Sequence, residues 1–511
     1  MATSGGVDVG AAVIDCGSFL IRGGLAGEDS PRALVPSAIG TRSGKNDVLG
    51  HSLWGLPELV DQVVDVYDPM AGLQAIPKWD VMKKVVDHVL SKHLMVSSKE
   101  TPLILVEPSY MWGVNGRAAA AELVFEGMGL KSFFIARGPV MAAFSAGRST
   151  SLVVDVGHQG AFATAVFEGY ALEKSKQTSV LGGRALSDYT YQVANEKAGQ
   201  NGIRARYELP SMSGATTEKE SKAEGSNGVV DSTAAVSKDT AGSEEKEKPK
   251  DGSQDVEMEV KEEAVPAAPP GEVSKVKPTT VEAPPPAPGA VVPKEGVAKT
   301  FSLDSKKAFY RMQIVHDLKQ SALSIREIIE TPDPEANGGG PAQTATAAAV
   351  VAGSKVKREP RPTVYTLPDG TELDMGQEIC ERIPESLFDP RLLSDSKIPG
   401  IESARSLHRL AYEAASACDI DVRRELFGGL VLSGGCSLFP GVAERFQREV
   451  AAITPQMFKL RMVSPSLRQD RASAPWVGGS ILGSLGTFQQ MWMSKQEYDE
   501  HGAMGINRKC P

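Results

Sequence analysis

No run of ~18 apolar residues occurs in the 511-residue chain, so no membrane span is expected. Cysteine is scarce. Its five residues, at 16, 380, 418, 436 and 510, lack the short paired spacing of a zinc site. Scattered thiols of this kind fit a reducing, intracellular compartment. Residues 1–10 show no basic patch ahead of an apolar stretch, so no secretory leader is expected. The hydrophobic fraction of 41% is slightly below the globular norm, which points to a portion without a core. That portion is residues 211–298, which contain no Trp, Tyr, Phe, Leu or Ile. They carry runs such as Glu244-Glu245-Lys246-Glu247-Lys248 and clusters such as Pro284-Pro285-Pro286. Such a composition cannot bury enough apolar surface to offset its ordering entropy, so disorder is expected there. A smaller stretch, 332–360, reads the same way, with Gly338-Gly339-Gly340 and an Ala/Thr tract. Basic charge is also in deficit, at −9 net, but 17 acidic residues and 10 lysines in 211–298 account for −7 of it. The nearly neutral remainder argues against a dominant electrostatic grip on DNA, and direct DNA binding is not expected.

What the chain does contain is a repeated phrase. Val13-Ile14-Asp15-Cys16-Gly17-Ser18 is echoed by Val153-Val154-Asp155-Val156-Gly157-His158. In both, an apolar run ends in Asp-x-Gly. The run reads as a strand inside a sheet. The glycine permits a tight turn that brings backbone N–H groups to a ligand. The aspartate is suited to hold a hydrated divalent cation. Two such devices suggest two similar domains gripping one phosphate chain and its metal. A third strand–turn unit, Leu430-Val431-Leu432-Ser433-Gly434-Gly435-Cys436, offers a glycine pair on which a flat purine can pack. On spacing alone, three unrelated strand–turn units in a mixed α/β protein fit equally well. Elsewhere, 79–93 reads as a helix through Val81, Val85, Val89 and Leu90, and 117–128 as another. Leu103–Pro108 reads as a buried strand. Residues 309–329 read as an amphipathic helix with Val315, Leu318, Ala322, Ile325 and Ile329 on one face.

The stretch Trp476-Val477-Gly478-Gly479-Ser480-Ile481-Leu482-Gly483-Ser484-Leu485-Gly486-Thr487-Phe488-Gln489-Gln490-Met491-Trp492 resembles the C-terminus of actin almost letter for letter. Gly169-Tyr170-Ala171-Leu172, Leu181-Gly182-Gly183-Arg184 and Leu367-Pro368-Asp369-Gly370 also match actin's pattern. The Arg508-Lys509-Cys510-Pro511 ending and the altered middle resemble the nuclear class 4, or actin-like protein 6, group of actin-related proteins. The resemblance implies an α/β, actin-like two-lobed fold, with duplicated ribonuclease H-like domains around a nucleotide cleft and long disordered insertions. The first lobe would span 8–148, with its small second subdomain shortened. The second lobe would span 149–210 and 299–470, interrupted by 211–298. Residues 471–511 would return to the first subdomain.

The resemblance also implies a cofactor, ATP with Mg²⁺. Asp15 and Asp155 would hold the metal through water, and Gly17, Ser18, Arg22 and Gly157 would meet the phosphates. Lys319, Gln320, Gly434, Gly435 and Phe439 would contact ribose and adenine, although Lys319 also fits a plain exposed helix charge. Several positions depart from actin. Phe19 replaces a glycine, Arg22 a lysine, His158 an aspartate, Gln159 a glycine and Ala472 a lysine beside the base. His158 is expected to be a surface or hinge histidine without a ligand. Gly138 stands where actin has the glutamine that orients the lytic water, and glycine has no side chain to position anything. Negligible hydrolysis is therefore predicted.

A partner groove is implied at Phe144, Gly147, Tyr170, Leu482, Leu485, Thr487 and Met491, suited to an amphipathic helix. The favoured reading is a nuclear, non-catalytic structural subunit of chromatin-remodelling or histone acetyltransferase complexes. Its implied partners are the scaffold helix of a remodelling ATPase, actin and histones. The alternative is a divergent cytoskeletal actin-like ATPase that forms filaments, which Phe19, Gly138 and the insertion disfavour. A sugar or metabolite kinase of the same superfamily is a third class, but no catalytic-carboxylate motif for one is present. Lys355-Val356-Lys357-Arg358 is a weak nuclear-import candidate.

Overall fold

The computed structural model describes residues 10–42, 47–50, 65–67, 77–209, 305–325, 361–465 and 467–511. The expectations for 211–298, 332–360, Ile329 and Lys355 to Arg358 lie outside these residues, as does most of the shortened second subdomain. The described residues all belong to one compact unit, Met1–Pro210 with Ser302–Pro511.

The chain begins with three antiparallel strands, β1 (Ala12–Cys16), β2 (Leu20–Leu25) and β3 (Ala33–Pro36). A separate two-stranded sheet follows, β4 (Ile39–Thr41) with β5 (Asp65–Tyr67). β6 (Leu103–Glu107) and β7 (Ser132–Arg137) then join β1 in parallel. Every residue of β1 and of β6 is buried. The apolar runs leading to Asp15 and Glu107 are what a strand covered on both faces requires.

The second sheet repeats the arrangement. β8 (Ser151–Val156) and β9 (Ala161–Phe167) form an antiparallel hairpin, and β10 (Tyr170–Ala171) and β11 (Gln177–Ser179) both pair with β9. β12 (Val364–Thr366) and β13 (Glu372–Asp374) make a small hairpin of their own. β14 (Leu430–Ser433) lies parallel to β8 as β6 does to β1. Finally β15 (Met493–Ser494) returns to the edge of the first sheet beside β7. Each sheet thus has a hairpin whose first strand carries the aspartate and is flanked by a parallel neighbour. Each has its own apolar core, centred on Ile14, Val106 and Phe133 in the first and on Leu152, Leu432 and Phe446 in the second.

Five helices position the site and its surroundings: α1 (Trp79–His88), α2 (Gly113–Glu122), α3 (Gly138–Ser145), α4 (Ser305–Ala322) and α5 (Ala474–Ser484). The helices expected over 79–93 and 117–128 exist, but each ends in one wider π-type turn, Val89–His93 and Leu123–Gly127. In α4 the residues Val315, Leu318 and Ala322 are buried at helical spacing. α5 lies close against α3, where Gly478 removes the side chain that the Met141 carbonyl would otherwise strike. The Trp476 indole N–H donates to the Val13 carbonyl at 3.0 Å, fixing α5 to β1. Among the described residues no helix is long and apolar enough to cross a membrane. All five cysteines are free and buried.

Candidate functional site: a cavity between two Asp-x-Gly turns

The β1–β2 and β8–β9 turns open onto one cavity of about 470 Å³. That volume lies within the ~300–1,000 Å³ range of small-molecule sites. All eleven residues expected to touch nucleotide line it: Asp15, Gly17, Ser18, Arg22, Asp155, Gly157, Lys319, Gln320, Gly434, Gly435 and Phe439. They come from four separate parts of the chain.

Asp15, at the end of β1, accepts a hydrogen bond from Arg22 Nη1 at 3.0 Å across the β1–β2 hairpin. The two residues are cross-strand partners, so the hairpin register itself makes the ion pair. Burial raises the Asp15 carboxyl above its ordinary range, Arg22 opposes that, and the charge of Asp155 adds to it. Asp155 is also raised by burial, against hydrogen bonds from Ser109 and Ser433. Ser109 Oγ donates to Asp155 Oδ2 at 2.6 Å, and Ser433 Oγ to Oδ1 at 3.2 Å. Two serines, one just past β6 and one at the end of β14, therefore hold this one carboxylate. Two buried carboxylates that repel each other are a hard-oxygen donor pair whose shared penalty a divalent cation would relieve. Mg²⁺ typically uses one or two carboxylates and completes its shell with water and phosphate. The donor set therefore fits such an ion. Among the described residues no cluster of three or more His, Cys, Asp or Glu is placed to cage a metal without a ligand's help.

Lys319 is buried, and its Nζ donates to the Gly183 carbonyl at 2.9 Å. The exposed-charge reading does not apply, and burial lowers its pKa. Gly434 has φ +90°, and an added Cβ would fall 2.4 Å from Asp155 Oδ1. Only glycine lets β14 turn so close to that carboxylate.

One aromatic side chain corrects the sequence reading. His158, expected at a surface or hinge, lines the cavity with its ring centroid 5.1 Å from that of Phe19. Phe19 in turn lies 4.4 Å from His316, on α4. Burial pushes His158 well below the ordinary imidazole range and His316 down to about 4, so both are neutral at pH 7. Gln320 Nε2 and His316 Nε2 are 2.7 Å apart. Gly138, at the start of α3, is absent from the cavity wall. A Cβ there would sit 2.6 Å from the Glu107 carbonyl oxygen, so the backbone has taken the space a side chain would need.

Sequence reasoning did not assign Ser109, Ser433, His316, Arg361 or Arg468, which reach the cavity or its carboxylates. Ser109 and Ser433 close buried strands, and that position was the available signal. Arg361 borders the low-complexity stretch ending at 360 and carried none. Its Nη1 donates to the carbonyls of Gln320, Ser321 and Leu323.

The expected groove residues lie on α3 and the turn after it, β10, α5 and the turn after α5. Tyr170, Leu485 and Met491 are 58%, 50% and 44% exposed, and Ile481, which was not foreseen, is 44% exposed. Thr487 and Gly147 are exposed as well, while Phe144 and Leu482 are half-buried against the first core. Phe144 touches the Cβ position of Gly169, beside Tyr170.

A paired-sheet α/β fold around a nucleotide-sized cavity defines the class. Comparison with known families makes it specific: the family model described as Actin matches residues 6–270 and 254–511. The chain belongs to the actin family. It is 29% identical over 543 residues to a protein named Actin-related protein 4 from Oryza sativa, covering 99% of this chain and 100% of that one. Actin-related protein 4 from Arabidopsis thaliana is 28% identical over 540 residues, with 99% and 100% covered. A Schizosaccharomyces pombe protein named SWI/SNF and RSC complexes subunit arp42 is 26% identical over 517 residues, with 98% and 99% covered.

Proposed function

We propose that the chain is a nuclear actin-related protein and a non-catalytic structural subunit of chromatin-remodelling or histone acetyltransferase assemblies. It docks an amphipathic scaffold helix on the surface formed by Phe144, Gly147, Tyr170, Leu482, Leu485, Thr487 and Met491. The names of its relatives in rice, Arabidopsis and fission yeast support this reading. The observation that carries it is the pairing of that exposed apolar strip with a residue 138 that has neither a side chain nor room for one. An exposed apolar strip suits an amphipathic helix, and glycine at 138 supplies no side chain to align a lytic water, which supports the reading. Actin and histones are the further partners this role implies.

The cavity in this reading holds a purine nucleotide. Asp15 and Asp155 bind Mg²⁺ through water, Ser18 and Arg22 meet phosphate, and Lys319, Gln320, Gly434, Gly435 and Phe439 hold the nucleoside. Bound nucleotide supplies binding free energy that stabilises the folded chain by mass action. The test is purification of the tagged full chain with identification of its partners. Remodelling subunits and actin are expected with the wild type, and their loss with Tyr170→Asp plus Leu485→Asp at an unchanged circular dichroism spectrum. Recovery of cytoplasmic motor or filament proteins alone would overturn the reading. So would sedimentable filaments formed in high salt and magnesium.

A further inference from the structure

We propose that the ring cluster of Phe19, His158 and His316 sets the length of phosphate chain the cavity accepts, so that it takes a nucleoside diphosphate in preference to a triphosphate. The inference rests on the nucleotide reading of the cavity given above.

The rings come from three elements. Phe19 follows Ser18 in the first Asp-x-Gly turn, His158 follows Gly157 in the second, and His316 lies one turn before Lys319 and Gln320 on α4. Centroid separations of 5.1 and 4.4 Å place the rings in direct contact. A phosphate chain that starts from a nucleoside held by Lys319, Gln320, Gly434 and Gly435 runs toward the two turns. Its far end must lie between their tips. In this chain the tips are the Phe19 and His158 side chains, and they touch. A second phosphate can rest against the turn backbones, whereas a third must part the rings.

Donor supply points the same way. A terminal phosphoryl group placed among these rings is desolvated and needs hydrogen-bond donors to offset that cost, and the nearby cations, though still charged, already direct donors within the protein. Arg22 is already paired with Asp15, and Lys319 Nζ with the Gly183 carbonyl. Arg361 Nη1 is engaged by three carbonyls, and Arg468 Nη2 donates to the Leu438 carbonyl. Both histidines are neutral at pH 7. The Asp15 and Asp155 carboxylates would repel the added charge unless Mg²⁺ screens them.

Isothermal titration calorimetry of the full chain with ADP and with ATP, each with Mg²⁺ at pH 7.5, tests this. ADP is expected to bind at least tenfold more tightly than ATP. Phe19→Gly should tighten ATP at least tenfold while moving ADP less than threefold. His158→Ala opens the same gap from the second turn, and it should act in the same direction even where Phe19→Gly fails to fold. Equal affinity of the wild type for the two nucleotides, or equal shifts of both in the variants, overturns the ring-gate inference and leaves the nucleotide reading standing. Absence of binding by either nucleotide to a folded wild type overturns both.

Discussion

His316 offers a way to weigh burial at the site. Its pKa is depressed to about 4, chiefly by burial, with the positive charge of Lys319 adding and Asp317 opposing. An unfolded histidine titrates near ~6.5. As pH falls, the unfolded chain therefore takes up this proton first. The residue's contribution is fully present above ~6.5, declines as pH drops, and is lost below ~4. At about 1.4 kcal/mol per pH interval the loss totals about 3 kcal/mol. Asp15, Asp155 and Glu107 oppose it, because their raised carboxyls bind protons first in the folded state. Comparison with His316→Gln removes their effect. The glutamine keeps a polar end facing Gln320 and does not titrate. Urea unfolding followed by tryptophan fluorescence at pH 7 and pH 4.5 should show the wild type losing about 2–3 kcal/mol more than the variant. Proton NMR of the ring should show no titration between pH 7 and pH 5.5. Parallel stability curves, or a ring that titrates near 6.5, would refute the reasoning, because the cluster of Phe19, His158 and His316 would then be open to water.

Restoring a water-orienting side chain at position 138 is not expected to restore hydrolysis: Gly138→Gln should lower stability, because its Cβ would meet the Glu107 carbonyl, and phosphate release assays should stay at background. Gly478→Ala forces α3 and α5 apart, since the new Cβ would fall 1.8 Å from the Met141 oxygen. Overpacking of this kind costs roughly 1–3 kcal/mol and should appear as a lower urea midpoint. Arg311 forms a bidentate pair with Glu208 at 2.9 and 2.8 Å, both side chains largely covered. A double-mutant cycle with Arg311→Ala and Glu208→Ala should give a coupling of roughly 1–2 kcal/mol, and additive single losses would show the pair to be inert.

What was legible in the sequence is what a strand and its turn can encode locally. The runs ending at Asp15 and Asp155 read as buried strands, and β1 and β8 are those strands. The glycine pair at 434 and 435 reads as a close approach, and Gly434 abuts Asp155. What was not legible depends on groups far apart in the chain. The contact of Phe19 with His158 and His316 needs three segments to converge, and none shows it alone. Histidine on a turn is most often solvated, so His158 looked unremarkable. Ser109 acquires its role only because β6 ends opposite β8. The wide turns at Val89–His93 and Leu123–Gly127 escaped because one added residue barely disturbs an apolar period. At Gly138 the missing side chain was visible, but the backbone that fills its place was not.

These particulars bear on how nucleotide and partner surface can be coupled. The polar groups that would meet a ligand are largely satisfied from within the protein. Arg22 holds Asp15, Ser109 and Ser433 hold Asp155, and Lys319 holds the Gly183 carbonyl. A hydrogen bond to ligand that replaces one within the protein contributes little net free energy. The gain from nucleotide is then smaller than in a site whose groups wait unpaired. A ligand also shifts a conformational equilibrium only by its differential affinity for the two states. The α3–α5 contact beneath the exposed strip is fixed by backbone proximity at Gly478 and by the Trp476–Val13 hydrogen bond, neither of which touches the cavity's polar groups. The exposed strip therefore rests on the core of the first sheet, through contacts separate from the cavity's polar groups, and its form is expected not to depend on whether the cavity is filled. A scaffold subunit needs that property, and a nucleotide-driven switch would have to lose it.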